Sequence, residues 1–424
     1  MKKWLLIALL TVWWMPLKGN ATVDVQRLID EAEPGSVITI PSGQYSGQFL
    51  IDKPLTIKGD GTLVASNQNP VLTIQQTNDV HLEGVTIKTN GTALQIKESK
   101  NISLQDVRLE NVNVGLQVHD SDSIQVNHVK ITGREGHYSQ KGNGLAFYKS
   151  HDIQVTGSTI DRVQDGIYLE EVDGITLQNN TITNGRYGIH FMYSENGLTT
   201  GNHMEKNITG FMVMMAKNIE MTENTITQQQ GLNSNGVVLY DVKSLHLHDN
   251  VISENRTAIS IQNSKEIMIE ENHFQMNETA VEVTKSDNSN SVVRNTFTGN
   301  ILTARSDQTG INLAGNYYDD YRGMDANDDG MGDTAYVALS SFGQWMVREP
   351  AYQYFVESPA VTVLATVDQQ INRSSQDLLS DESPMIMAKG ISSNEQQGIQ
   401  FWQLSVGLLI LLASGYCWRR GVRI

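Results

Sequence analysis

Along the middle of the chain, apolar and polar residues alternate in short runs that each follow a small residue. The runs read Ala93-Leu-Gln-Ile, Gly115-Leu-Gln-Val, Gly144-Leu-Ala-Phe, Gly166-Ile-Tyr-Leu, Gly188-Ile-His-Phe, Gly210-Phe-Met-Val, Gly236-Val-Val-Leu, Ala258-Ile-Ser-Ile and Ala280-Val-Glu-Val. Most begin 22 residues apart; the step is 29 from Gly115 to Gly144 and 26 from Gly210 to Gly236. Earlier copies start at Phe49 and Val71, and a degenerate copy lies near Leu302. A second apolar pair follows in most copies (Ile175/Leu177, Ile219/Met221, Leu245/Leu247, Ile267/Ile269). An asparagine then recurs at Asn180, Asn202, Asn224, Asn250 and Asn272. Period-two alternation marks strands, and a short non-helical repeat at fixed period marks a stacked solenoid. The prediction is an all-β, right-handed parallel β-helix of about twelve coils over residues 49–320, each coil holding three short strands. At ~4.8 Å per coil the rod is on the order of 60 Å long. Stacked asparagine amides bond along the axis at one bend. Residues 22–48 form an N-terminal cap, with Val23–Glu33 as a short helix over the first coil.

The same alternation says what faces out. If the first and third residues after the small residue are core, the second and fourth point to solvent. That column carries Tyr168/Glu170, His190/Met192, Met212/Met214 and Val238/Tyr240 on successive coils. His190 and Met192 therefore stack on Met212 and Met214, with Met215 just beyond. Soft thioethers favour Cu(I), and imidazole also suits copper. An adaptable contact patch for a partner uses the same residues, and a chance cluster stays open beside both. Met204 and Met221 fall on inward offsets and belong to the core. Met268, His246, His248, His128 and His273 read as isolated, solvated side chains. The two long steps place extra residues in Gly133–Asn143 and Gln228–Asn235, either side of the His/Met column. Loops interrupting a solenoid often mark its binding face, which makes His137 a second-rank ligand candidate with Met215.

Beyond the repeats, residues 321–355 read as an Asp/Gly-rich loop and C-terminal cap. Asp325, Asn327, Asp329, Gly330 and Asp333 match positions 1, 3, 5, 6 and 9 of a Ca²⁺ loop, but position 12 is Tyr336, so this is no EF-hand. A plain Asp/Gly turn is the other reading. Residues 356–397 read as a tether: Ser358-Pro359 caps a helix striped by Val363, Val367 and Ile371, and Met385 and Met387 follow as sticky side chains. Residues 1–21 have the basic start (Lys2, Lys3), apolar run and small residues Gly19 and Ala21 of a secretory signal. Residues 398–418 are apolar enough for one transmembrane helix. Arg419, Arg420 and Arg423 then leave the tail, 419–424, in the cytosol and everything before the span outside.

Composition narrows the function. The chain of 424 residues carries a formal net charge of −16, against the Lys/Arg surplus that nucleic-acid binding needs. Its single cysteine, Cys417, excludes an internal disulfide framework and Cys-rich metal centres. No G-x-x-x-x-G-K-[ST] loop is present, so any ATP hydrolysis belongs to a partner.

The strings Gly185-Arg-Tyr-Gly-Ile-His-Phe-Met-Tyr193 and Gly210-Phe-Met-Val-Met-Met215 resemble the NosD family, periplasmic accessory proteins for the copper centre of nitrous oxide reductase. The looser string from Gly315-Asn-Tyr-Tyr-Asp-Asp-Tyr321 to Asp333 is similar too, and the resemblance covers roughly residues 22–390. It implies a non-enzymatic copper-handling scaffold in the periplasm. Its partners would be an ABC transporter membrane subunit with its ATPase, a lipoprotein copper chaperone and the copper-poor reductase. A C-terminal span is a departure from the family's minimal pattern, and would tether the rod to the inner membrane. Two other classes compete. A polysaccharide lyase or C5-epimerase could use Asp161, Asp165, Glu170, Glu171, Arg186 and His190, which fall on neighbouring coils. The outer column is poor in basic residues for a polyanion, and no Asp-Pro-His string appears. An inert structural rod is the third class.

Overall fold

The computed structural model describes residues 23–307, 311–339, 350–355, 358–361, 363–364 and 379–388. They form a right-handed parallel β-helix, built from sheets of 15, 13 and 12 strands that run the length of the rod, parallel except for the last pair of the 15-stranded sheet. The 13-stranded sheet adds one coil to the twelve expected. Register follows the sequence period: Ile189 pairs with Phe211, and Phe211 with Val237, across successive coils. Every inward offset is buried, from Leu94 and Ile96 to Val281 and Val283, and Met204 and Met221 lie in this core as expected. At the far end Phe274, Phe297, Tyr318 and Tyr336 stack at centroid spacings of 4.9, 5.3 and 3.7 Å.

Two polar ladders run through the rod. Asn180, Asn202, Asn224, Asn250 and Asn272 each receive a backbone amide from the coil below, at 2.9–3.0 Å. The ladder continues to Asn295 and Asn316. A second ladder, Asn207, Gln229, Asn255, Asn277 and Asn300, occupies the next bend. Spacing marks it less plainly than the first, because Gln229 interrupts the asparagine series. Both ladders give buried bend amides a partner that no sheet provides. The glycine column has a steric cause. A Cβ on Gly188 would lie 2.6 Å from both the Gly210 carbonyl oxygen and Met204 Cγ.

The ends are closed differently. Helix α1 (Val25–Glu31) caps the first coil with Val25 and Ile29 buried, and Asp24 Oδ1 accepts from the Arg27 amide at 3.1 Å. At the other end, part of the segment expected as a tether belongs to the rod. Leu379–Asp381 runs parallel to Asn312–Ala314 and antiparallel to Tyr336–Leu339. Asp381 is fully buried and ends the asparagine ladder. It accepts from the amides of Gly315 (3.0 Å) and Asn316 (2.8 Å) and from the Tyr318 hydroxyl (3.1 Å). Met385 bridges to Tyr317 and Met331, while Met387 is exposed. An open last coil leaves unpaired amides, and an acceptor-only carboxylate satisfies them. The backbone is helical at 359–361 and 363–364. Val367 and Ile371 lie outside the described residues, as do the expected signal (1–21), transmembrane helix (398–418) and tail (419–424). Among the described residues no helix is long and apolar enough to cross a membrane.

Candidate functional site

Four neighbouring strands of the 12-stranded sheet build the site: β1 (Asp165–Glu170), β2 (Tyr187–Met192), β3 (Thr209–Met214) and β4 (Asn235–Tyr240). Their in-register pairing sets Tyr168, His190, Met212 and Val238 in one outward column and Glu170, Met192, Met214 and Tyr240 in the next. His190 thus neighbours Met212, and Met192 neighbours Met214, as the repeat predicts. Phe191, Phe211 and Val213 beneath them are wholly buried and hold the backbone level.

One expectation fails. His190 does not point to open solvent: it is 6% exposed. The rings of Tyr168 and Tyr187 meet it edge-on, at centroid distances of 4.9 and 5.1 Å. Its Nδ1 lies 3.0 Å from Oδ2 of Asp165, itself 1% exposed. Arg186 grips that carboxylate in bidentate fashion, Nε to Oδ1 at 2.8 Å and a terminal nitrogen to Oδ2 at 2.7 Å. The guanidinium also lies 4.3 Å over the Tyr187 ring. The other imidazole nitrogen, Nε2, is buried and has no hydrogen-bond partner. A buried polar atom left unpaired costs about 1–3 kcal/mol, so this nitrogen is a vacant donor position on a residue in register with Met212.

The groups around it are electrostatically settled. Burial pushes the Asp165 carboxyl up, but hydrogen bonds from His190 and Arg186 outweigh it and hold the group below the usual range, ionised. Burial, then the hydrogen bond to Glu170, pushes the Tyr168 phenol up, so it stays neutral. Its hydroxyl donates to Glu170 at 2.7 Å and lies 3.4 Å from Met192 Sδ. Below it the aromatic column continues through Tyr148 to His119, whose rings stack at 4.6 Å.

The lower-ranked candidates sit apart. Met215 has a left-handed backbone (φ 51°) at the bend that ends β3, outside the ladder of outward positions. His137 is exposed and caps a short 3₁₀ turn through Ser139, with its ring on Tyr138. In the acidic loop, Asp325 accepts the amides of Asp329 and Gly330, Asp329 that of Met331, and Asp333 that of Ala326. Asn327 donates to Asp329. These oxygens serve the loop's own backbone. No three His, Cys, Asp or Glu side chains gather as a metal-binding group among the described residues. His246 and His248 are not isolated, because their rings meet at 4.3 Å and carboxylates engage both. Met268 lies in register with His246. Asp165 and Arg186 carry no periodic signal; both lie next to the strand alternation, and only their spacing to His190 hinted at contact.

The fold and this face define a right-handed parallel β-helix with an imidazole–thioether patch on its 12-stranded sheet. Comparison with known proteins gives the particular kind. The sequence model of the family described as "Periplasmic copper-binding protein (NosD)" matches residues 127–323, a span that includes the whole patch. A protein of Stutzerimonas stutzeri named "Probable ABC transporter binding protein NosD" is 25% identical, over 78% of this chain and 82% of its own length. Its namesake from Pseudomonas aeruginosa is 29% identical over 26% of this chain and 27% of its own. The chain is similar to NosD-type proteins over this span and, more weakly, over most of its length. Among solved structures, the Azotobacter vinelandii mannuronan C-5 epimerase AlgE6 A-module is similar with TM-score 0.58 and 14% identity, over 69% of this chain and 93% of that one. The bacteriophage CBA120 tailspike protein 3 gives TM-score 0.54 and 14% identity, over 71% and 56%. These likenesses concern the fold alone.

Proposed function

We propose that this protein is a periplasmic copper-binding accessory protein, not an enzyme, that holds Cu(I) on the face of β2 and β3 for delivery to a copper-poor nitrous oxide reductase. The observation that carries this reading is the register of His190 with Met212 and Met192 with Met214, beside the unpartnered Nε2 of His190. One neutral imidazole nitrogen and three thioethers form a soft, uncharged donor set, suited to Cu(I) and poorly suited to hard cations. Thioether ligation without thiolate is weak enough to release the ion to a stronger acceptor. The description of the matching family supports the metal. The names of the relatives support an ABC transporter as partner, whose membrane subunit and ATPase would supply the energy this chain cannot. A lipoprotein chaperone would load the patch, and residues 398–418 would keep the rod at the inner membrane.

The test is a Cu(I) titration of the purified protein against a competing chelator, beside the Met192/Met212/Met214→Leu triple variant. Stoichiometric binding by the wild type, lost in a variant whose circular dichroism is unchanged, is the expected outcome. Equal binding by both would move the ligands elsewhere and leave the patch as a docking surface.

A further inference from the structure

We propose that Asp165, clamped by Arg186, is a positioning residue that fixes His190 as the Nδ1–H tautomer and thereby makes Nε2 the metal-binding atom; the last step rests on the copper reading above. A neutral imidazole in water prefers its proton on Nε2, which would leave the wrong nitrogen free. Which nitrogen carries the proton in a protein is set by the hydrogen bond that the other environment offers. Here an ionised carboxylate, which can only accept, faces Nδ1 at 3.0 Å, so Nδ1 donates. Nothing faces Nε2. The carboxylate cannot turn away, because Arg186 holds both of its oxygens at 2.7–2.8 Å and is itself fixed over Tyr187. The guanidinium charge offsets the carboxylate, so the support adds direction to the imidazole without adding net charge to the donor set. Carboxylates behind ligand histidines act in this way, and losing one typically weakens metal binding 10–100-fold. The three residues come from two adjacent coils: Asp165 opens β1, Arg186 directly precedes β2, and His190 lies within β2.

The test begins without metal. Two-dimensional ¹⁵N imidazole spectra of the full-length protein at alkaline pH report the tautomer of each histidine, and His190→Gln assigns the His190 signals. The expected result is the Nδ1–H form in the wild type, moving toward Nε2–H in Asp165→Ala and by a smaller amount in Arg186→Gln. An Nε2–H majority in the wild type, or the same spectrum in Asp165→Ala, would overturn the tautomer lock whatever copper does. Should Asp165→Ala not fold, the wild-type spectrum and Arg186→Gln decide alone. In the copper arm, Asp165→Ala with all three methionines intact should bind Cu(I) about 10–100-fold more weakly. Unchanged affinity in that variant, with a wild type that binds, would overturn the ligand step and leave the copper reading standing. A wild type that binds no Cu(I) would overturn both the copper reading and the ligand step, while the spectra still decide the lock.

Discussion

On the 12-stranded sheet, His190 stands against a buried carboxylate, with one nitrogen engaged and the other free, and its axial neighbour is a methionine. On the 15-stranded sheet, two coils further along, His246 and His248 also occupy outward ladder positions, and Met268 is the axial neighbour of His246. There the imidazoles meet more exposed surroundings. Nε2 of His246 lies 2.7 Å from Glu270. His248 has Nδ1 2.8 Å from Asp249 and Nε2 3.3 Å from Glu220. Their side chains are 38% and 21% exposed, against 8% for His190. The same residue types in the same ladder geometry thus give a solvated, hydrogen-bonded cluster on one face and a sheltered donor with a buried vacant nitrogen on the other. Proximity of histidine and methionine is therefore not the signal. A buried nitrogen without a partner is, because neither protein nor solvent occupies its lone pair.

The platforms beneath the two faces should be alike, so the largest expected effects are equal on both. Phe191→Ala should cost about 3–5 kcal/mol and Leu247→Ala about 2–5 kcal/mol in denaturant unfolding, because both side chains are wholly buried. A near-zero cost at either would mean that the coils are not equally packed. The outer layers should then diverge. Asp165→Ala strips a buried imidazole and a guanidinium of their partner and should cost about 3 kcal/mol. Glu220→Gln, at a pair whose carboxylate is 53% exposed, should cost at most about 1 kcal/mol.

The two faces should also respond to opposite ends of the pH scale. Burial alone lowers the His248 value, but hydrogen bonds to Asp249 and Glu220 outweigh it and raise the folded value above 6.5. Its stabilisation is therefore full below the unfolded value and is lost as pH rises through the folded one. Asp165 has a depressed folded value. Its contribution is present above the unfolded carboxylate range and is lost as pH falls through the folded value. Thermal melts across pH should show His248→Gln flattening the curve near neutrality alone, leaving the acid limb intact. The smallest effect concerns copper: the His246→Gln/His248→Gln pair should leave Cu(I) affinity unchanged in the chelator competition. A loss there would erase the distinction between the faces.

Much of this molecule was legible as a string because a parallel β-helix converts sequence period into spatial contact. A step of 22 residues places Met214 on Met192 and Asn202 on Asn180, so alternation and spacing were enough for the fold, the core offsets, the first asparagine ladder and the His190–Met192–Met212–Met214 patch. Period could not say how deep an outward residue sits. His190 is sheltered by Tyr187 and Asp165, which lie before the alternating offsets and whose directions depend on Arg186. Nor could it foresee that Asp381 returns across 65 residues to end the ladder at Asn316, since that contact obeys no repeat. The periodic backbone was written in the sequence because each coil sees the same neighbours. The free nitrogen and the closed end were decided only in the tertiary structure, because they arise where that translational symmetry is broken.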